Sequence, residues 1–484
     1  MKLSVLLKNE KYSVITGSDD IDVTSIEYDS RKVKNGSVFV CITGFKTDGH
    51  KYIDSAVKNG ASAVVVEKDV TVPEGITCIK TDNTRHILAS MSAAFYNNPS
   101  EKMRLIGVTG TNGKTTTTYL IKSILETQGR KTGIIGTIQN CIGNKVLHAD
   151  RTTPESLELQ ELFDEMYKEG VNDVIMEVSS HSLDLHRVDC CDFDLGMFTN
   201  LTEDHLDYHK TMENYRDAKA ILFGMCKNSV INIDDPYGEY MVSKAVGNTL
   251  TTGIENPKAD MNAVNLVMKP NGVEFDVEYK NEKHHIIYSV PGKFSVYNAL
   301  AAIAAGVVLN VPMNTIIKGI KSVKGVKGRF EPVKTYNDIT AIVDYSHTPD
   351  SLENMLNTAR EFVKGRIITV FGCGGDRDKL KRPIMGEIAG RLSDFCIITS
   401  DNPRSEDPQT ILDEIEPGTA KTGCEYVKIC DRKEAIFYAV KMAKPHDFIA
   451  VAGKGHEDYQ IFADRTIHFD DAEVLLEAFK EIEK

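Results

Sequence analysis

The segment Arg104–Thr127, RLIGVTGTNGKTTTTYLIKSILET, constrains the fold more than any other. An apolar run enters a glycine-rich turn, and an amphipathic run leaves it. Strand, glycine loop and helix in that order make a phosphate cradle, because loop amides and the helix N-terminus point at the ligand. The loop residues are Gly110, Thr111, Asn112, Gly113, Lys114, Thr115 and Thr116. Lys114 is expected at the β/γ-phosphates of a nucleotide, and the Thr115 hydroxyl at Mg²⁺. Val108 departs from the strict pattern, which has glycine there. The plain alternative is a glycine turn that merely opens a helix.

The same alternation continues through KTGIIGT, NDVIMEVSS and DLGMFTN, and resumes through ITAIVDYS, GRIITVFG, DFCIITS and DFIAVAG. Strands separated by helical segments predict α/β architecture with mostly parallel sheets. Breaks at YNNPS and GVKGRFEP divide the chain into 1–98, 99–330 and 331–484. The expected fold is therefore a small N-terminal α/β unit, a central phosphate-loop unit and a C-terminal Rossmann-like unit.

A net charge of -13 argues against nucleic acid or an anionic membrane as the main partner. The ten cysteines form no C-x-x-C pair, so no zinc or thioredoxin-like motif is signalled. The start, MKLSVLLKNEKYSV, lacks the pattern of a secretion signal. A reducing cytoplasm is the expected location, and a monomer the expected state.

Three residues between 170 and 220 stand out. Glu177 closes the apolar run VIME, where an unpaired carboxylate is unfavourable unless it meets a cation. His205 follows another strand-like run, and the pair suits a metal only if both strands abut the phosphate loop. Lys219 shares a helical stripe with Tyr215, Leu222 and Phe223. On the residues alone it reads as a snorkelling lysine.

In the last third, three apolar runs end in polar clusters: GCGGDRD, SDNPR and GKGHED. Such clusters at strand C-termini of one sheet make a ligand site. A turn draws on Asp, Asn and Pro but has no need of Arg404. Arg377, Arg404 and Glu457 suit a ligand that carries carboxylate and ammonium together.

These motifs resemble the Mur ligases, the ATP-dependent amino-acid ligases of bacterial cell-wall synthesis. GVTGTNGKTT is similar to that family's variant phosphate loop. DSR (29–31), TTP (152–154), EVSSH, TNLTEDHLDYH, YNA (297–299), GRFE (328–331), DYSHTP (344–349) and the three C-terminal clusters extend the match along nearly the whole chain. Within the family, the chain resembles the branch that joins meso-diaminopimelate to UDP-MurNAc-L-Ala-D-Glu. The resemblance implies that Ser30, with Phe45, Lys46 and Thr47, holds the uridine part, and that Thr152, Thr153, Ser179 and Arg187 hold the muramoyl-peptide. The family often has Gln where this chain has Leu185. Asn298, Arg329 and Asp344 are expected to contact ATP. Lys219 falls where the family carries a carbamylated lysine, an anionic Mg²⁺ ligand beside Thr115, Glu177 and His205. His347 is expected to help the attacking amine. Arg377, Asp401, Asn402, Pro403, Arg404, Gly453 and Glu457 are expected to form the diaminopimelate site, with Arg404 reading the distal carboxylate. A folylpolyglutamate synthase-like ligase and a nucleotide-hydrolysing binding protein remain as alternatives.

Overall fold

The computed structural model describes residues 1–45, 47–269 and 271–482. Its strands fall into three large sheets, one in each third of the chain, and a small hairpin.

The first sheet has the order Ser13–Thr16, Thr77–Lys80, Ala61–Val66, Ser37–Val40, Ser25–Glu27. Only the pairing of Ser13–Thr16 is antiparallel. The helix Thr84–Phe95 lays Ile87, Leu88 and Met91 against Val38, Val40 and Val65. Asn83 caps it by accepting from the amides of Arg85 and His86.

The central sheet has eleven strands. Around the phosphate loop it is parallel, with Arg104–Thr109 lying between Asp173–Glu177 and Phe193–Phe198. Its two edges are antiparallel, Asn140–Ile142 with Lys145–Leu147 on one side and Met261–Lys269 to Glu282–Tyr288 on the other. These edge hairpins were not signalled by the strand–helix alternation, since hairpin edges need no crossover helix. The helix Lys114–Thr127 packs Leu120 and Ile124 against Ala299, Ile303 and Ile316 of the helices Lys293–Val308 and Met313–Ser322. On the other face, Leu159, Phe163 and Met166 of Ser156–Lys168 cover Met176 and Val178. Covering both faces explains why these strands read as unbroken apolar runs.

The third sheet has the order Glu331–Val333, Thr340–Asp344, Phe448–Ala452, Ile367–Phe371, Phe395–Ile398, Glu425–Lys428. Only the edge strand Glu331–Val333 is antiparallel. The strands that end in the three polar clusters, Phe448–Ala452, Ile367–Phe371 and Phe395–Ile398, are immediate neighbours, so the clusters share one edge. Among the described residues, no helix is long and apolar enough to cross a membrane.

Candidate active site

The segment that follows the strand Phe193–Phe198 braces the phosphate loop. The Thr111 amide donates to the Asn200 carbonyl at 2.8 Å, and the Asn112 amide to Asn200 Oδ1 at 2.9 Å. Gly113 sits at φ 85° just before the helix, and a Cβ there would run into Asn298 Oδ1. Glycine is therefore required both by conformation and by space.

Lys114 Nζ donates to the carbonyls of Gly110 and Thr111, at 2.9 and 2.8 Å. Burial pushes its pKa down, and nearby Glu177 opposes that shift. Glu177 is only 1 % exposed. Its Oε1 accepts from Thr115 Oγ1 at 2.9 Å and from the Thr137 amide at 3.0 Å, and its Oε2 accepts from Thr137 Oγ1 at 3.0 Å. Among the described residues it makes no ion pair. A buried carboxylate that has only hydroxyl and amide partners is a ready cation ligand.

Both strands that carry the suspected metal ligands flank the loop strand. His205 lies beyond the second of them, with its backbone at φ 55°. Its ring is half exposed and packs edge-on against His181 and Tyr215. Burial, with His205 and His209 close by, holds His181 down at about 4, so it is neutral at pH 7.

Lys219 is 1 % exposed and meets no carboxylate within salt-bridge distance among the described residues. Its Nζ donates to the Gly110 carbonyl at 2.8 Å and lies 4.5 Å from the centroid of the Tyr215 ring. Burial, aided by the Lys114 charge, pushes its pKa well below the ordinary lysine value. It does not snorkel, which corrects the reading from the helical stripe alone. The amine is carried inward to the phosphate loop.

A cavity of about 480 Å³ opens beside the loop, lined by Asn112, Gly113, Thr116, Asn298, Arg329 and Asp344 among others. Every residue named from the sequence as an ATP contact beyond the loop lines it. Arg329 Nη2 reaches Thr115 Oγ1 at 3.4 Å, and its guanidinium lies 4.9 Å from the centroid of the Tyr345 ring. Burial raises the Asp344 carboxyl, while hydrogen bonds from Ser346 and the Phe330 amide and the Arg329 charge oppose it. His347 is exposed, and its Nδ1 faces the Tyr345 carbonyl at 2.8 Å. A carbonyl only accepts, so Nδ1 carries a proton, and in the neutral ring Nε2 holds the lone pair.

On the other side of Glu177, Thr153 Oγ1 donates to the Glu177 carbonyl at 2.8 Å and accepts from the Ser179 amide at 3.2 Å. Thr152 Oγ1 lies 3.0 Å from Thr137 Oγ1. Arg187 donates to the Thr153 carbonyl at 3.2 Å and pairs with Glu155 at 3.0 Å. Thr152, Thr153, Ser179 and Arg187 thus lie together, with Thr153 buried among them. In the first unit, Ser30 is buried and its carbonyl accepts from Asn59 at 2.9 Å. Phe45 is 75 % exposed and meets Tyr208 edge-on at 5.6 Å. Thr47 Oγ1 lies 3.0 Å from the Tyr52 hydroxyl. Lys46 lies outside the described residues.

The three C-terminal polar clusters meet through hydrogen bonds centred on Asn402 and Arg404. Asn402 Nδ2 donates to Glu457 Oε2 at 2.8 Å. The Asn402 amide N–H donates to Asp401 Oδ1 at 2.6 Å, and a Cβ at Gly453 would lie 2.5 Å from Asp401 Oδ2. Pro403 brings its carbonyl so close to Gly375 that no side chain fits there. Arg404, with its backbone at φ 53°, donates from Nη1 to the carbonyls of Gly375 and Asn402, at 2.9 and 3.3 Å. Among the described residues neither Arg404 nor the exposed Arg377 makes an ion pair. Among the described residues the Arg377 side chain donates to the Asp376 carbonyl alone, at 3.0 Å.

Sequence reasoning missed Thr137, Asp350 and Lys454. Thr137 follows the strand Thr132–Ile135 on the edge that carries the loop, and that position was its one signal. Asp350 opens the helix Pro349–Phe362 and reaches the loop from the third unit. Lys454 stands inside GKGHED but reads as an ordinary loop lysine.

Residues 22–96 match the Mur ligase family catalytic domain, 108–306 the Mur ligase middle domain, and 328–455 the Mur ligase glutamate ligase domain. A UDP-N-acetylmuramoyl-L-alanyl-D-glutamate--2,6-diaminopimelate ligase of Clostridium botulinum is 53 % identical over 487 residues, covering 100 % of both chains. The enzyme of that name from Caldanaerobacter subterraneus is 51 % identical, also over 100 % of both. A solved structure of a ligase of that name is 30 % identical with a TM-score of 0.73, covering 100 % of this chain and 99 % of that one. The MurF ligase of Thermotoga maritima, solved with ADP, is 20 % identical with a TM-score of 0.64 and shares the fold. The chain belongs to the Mur ligase family. It is an ATP-dependent ligase.

Proposed function

We propose that the chain joins meso-2,6-diaminopimelate to the D-glutamate of UDP-N-acetylmuramoyl-L-alanyl-D-glutamate, with ATP, in cytoplasmic peptidoglycan precursor synthesis. It works as a monomer on small-molecule substrates, away from nucleic acid and membrane. The observation that carries the amino-acid assignment is Arg404. Its guanidinium rests on two backbone carbonyls beside Asn402 and Glu457 and meets no carboxylate among the described residues. Diaminopimelate differs from lysine by a distal carboxylate, the group such an arginine recognises. The relatives' shared name supports the same reading.

The reaction runs in two steps. The D-glutamate carboxylate attacks the γ-phosphorus of ATP, giving an acyl phosphate and ADP. The loop amides of 110–116 and Lys114 offset the repulsion between the two anions, with Lys114 exchanging loop carbonyls for phosphate oxygens. Arg329, Asn298 and Asp344 seat the nucleotide in the cavity beside the loop. Thr152, Thr153, Ser179 and Arg187 present the dipeptide next to Glu177. Ser30 and the loop at 45–47 take the uridine end. The free amine of diaminopimelate then attacks the acyl carbon, and phosphate leaves. His347 Nε2, with its lone pair free, takes the amine proton.

Thr115, Glu177, His205 and carbamylated Lys219 would hold Mg²⁺, and the buried, cation-free Glu177 fits that role. Bound there, Mg²⁺ supplies positive charge to the transferring phosphoryl group. Lys219 fits carbamylation because burial favours its free amine, which adds to CO₂ with release of one proton.

The test is phosphate release with ATP, Mg²⁺ and the UDP-dipeptide, comparing meso-diaminopimelate with L-lysine, with mass spectrometry of the product. Ligation of diaminopimelate alone is the expected result. Equal ligation of lysine overturns the role of Arg404, and ATP hydrolysis without either product overturns the ligase assignment.

A further inference from the structure

The amino-acid cluster contains a cation that its recognised residues do not account for. Lys454 is 0 % exposed, as buried as any residue of the sheet core. A lysine there is unfavourable unless its charge and its donors are satisfied. Its Nζ donates to Asn402 Oδ1 at 3.2 Å and lies 3.4 Å from Glu457 Oε2, while the Tyr459 ring centroid stands 5.4 Å away.

These contacts fix two neighbours. Asn402 Oδ1 accepts from Lys454 and from the Ile461 amide, at 3.2 and 3.0 Å. Both partners are donors, so the oxygen of the Asn402 amide must face them and its Nδ2 must face Glu457. Glu457 Oε2 then receives Asn402 Nδ2 and Lys454 together. Glu457 Oε1 has no hydrogen-bond partner among the described residues. The Glu457 amide closes the turn by donating to the Lys454 carbonyl at 3.0 Å, so carboxylate and ammonium sit on one rigid loop.

We propose that Lys454 is a positioning residue for the amino-acid substrate: its buried ammonium sets the Asn402 amide and occupies Glu457 Oε2, leaving Glu457 Oε1 to receive a substrate ammonium. This rests on the assignment of the cluster to the amino acid made above. Lys454 also favours the charged form of Glu457. Burial raises the Glu457 carboxyl and Asp401 raises it further, while Lys454 and the Asn402 hydrogen bond oppose them; the buried Arg432 charge also acts on Glu457. Without Lys454, Glu457 holds its proton to a higher pH and loses its attraction for an ammonium.

The test compares wild type, Lys454→Met, Glu457→Gln and the double variant, each as the full chain, in steady-state ligation across pH. Lys454→Met is expected to raise KM for diaminopimelate by about tenfold or more, as for loss of one partner of a buried pair. KM for ATP stays unchanged, and the acid limb of kcat/KM for diaminopimelate moves to higher pH. In the Glu457→Gln background the same change has little further effect, because the carboxylate it serves is gone. An unmoved acid limb, equal rises in both KM values, or an undiminished effect in the Glu457→Gln background overturns the role of Lys454. If Lys454→Met does not fold, Lys454→Gln, which keeps a donor toward Asn402, is expected to move the same limb and carries the same test. Wild type that ligates diaminopimelate beside an unaltered variant sinks only this inference. Wild type that does not ligate it sinks the proposed function as well.

Discussion

Asp350 Oδ2 accepts a hydrogen bond from Asn112 Nδ2 at 2.9 Å, joining the third unit directly to the phosphate loop. The same oxygen accepts from Thr202 Oγ1 at 2.9 Å, three residues before His205. One carboxylate thus ties together the unit that holds the amino-acid cluster, the loop, and the segment that carries a proposed metal ligand. Lids and domains that complete a site on closure depend on such ties. Asp350→Ala is expected to lower kcat by about tenfold or more, from the loss of two hydrogen bonds to a charged group. The thermal midpoint should change little, since the loop keeps its bonds to Asn200. Steady-state phosphate release and a melting curve on one preparation check this, and an unchanged kcat would refute it.

Arg404 is the residue on which the proposed substrate choice turns. Its partners are backbone carbonyls, so removing it leaves no carboxylate orphaned within the protein. Arg404→Ala is expected to reduce kcat/KM for meso-diaminopimelate by about a hundredfold or more, the scale on which a site built for a polar group loses its ligand. The value for L-lysine should hardly move. Competition between the two amino acids, read by product mass, gives the ratio. A parallel fall for both would show that Arg404 merely braces the loop.

What could be read from the sequence follows how far each signal reaches along the chain. The phosphate loop was legible because strand, glycines and helix are consecutive, and Gly113 needs only its own φ and Asn298 behind it. The three C-terminal clusters were legible because each ends an apolar run. That they share one edge depends on a strand order that the sequence does not print. Lys219 was visible as an inward lysine, but its partner, the Gly110 carbonyl, lies 109 residues away. Asp350 and Thr137 act across the fold on Asn112 and Glu177, and their local sequence has nothing unusual. The antiparallel edges of the central sheet were hidden for another reason: they bear no chemistry and interrupt no motif.

Lys219 is expected to make the enzyme sensitive to CO₂. Its depressed pKa gives it more free amine at a given pH than an ordinary lysine has. Depleting bicarbonate from buffer and enzyme should lower the ligation rate, and returning it should restore the rate. Lys219→Ala should lose about a hundredfold or more in kcat and no longer respond to bicarbonate, as expected when a charged group facing the transferring phosphoryl is removed. A carbonyl resonance from ¹³C-bicarbonate, present in wild type and absent in Lys219→Ala, would report the carbamate directly. A rate indifferent to bicarbonate, with no such resonance, would return Lys219 to the role of a simple loop brace.

The junction of the first two units carries its own pH dependence. Asp189 Oδ2 receives His86 Nδ1 at 2.6 Å and His186 Nδ1 at 2.8 Å. Asn83 Oδ1 is used in capping its helix, so its Nδ2 donates to His186 Nε2, at 3.0 Å, and favours the neutral ring against the pull of Asp189. Glu10 lies 3.4 Å from His86 Nε2, and Arg85 and Asp184 also act on His186. The Asp189 hydrogen bond raises the His186 pKa above 6.5, against burial and the Arg85 charge. Burial would raise Asp189, but hydrogen bonds from His186 and His86 outweigh it and hold the carboxyl below 3.8. The signs then give a window. The contribution of His186 is fully present below 6.5 and is lost as pH rises through its raised folded value. That of Asp189 is fully present above 3.8 and is lost as pH falls through its lowered value. The junction is therefore tightest between those two limits and loosens toward alkaline pH. His186 is 38 % exposed, so the change should be about 0.2–1 kcal/mol, the range of solvent-screened pairs. Amide exchange across Thr84–Phe95, corrected for intrinsic rate, should rise as pH is taken from slightly acid to alkaline. His186→Gln cannot titrate and should flatten that response. A variant that follows the same curve as wild type would place the pH dependence elsewhere in the fold.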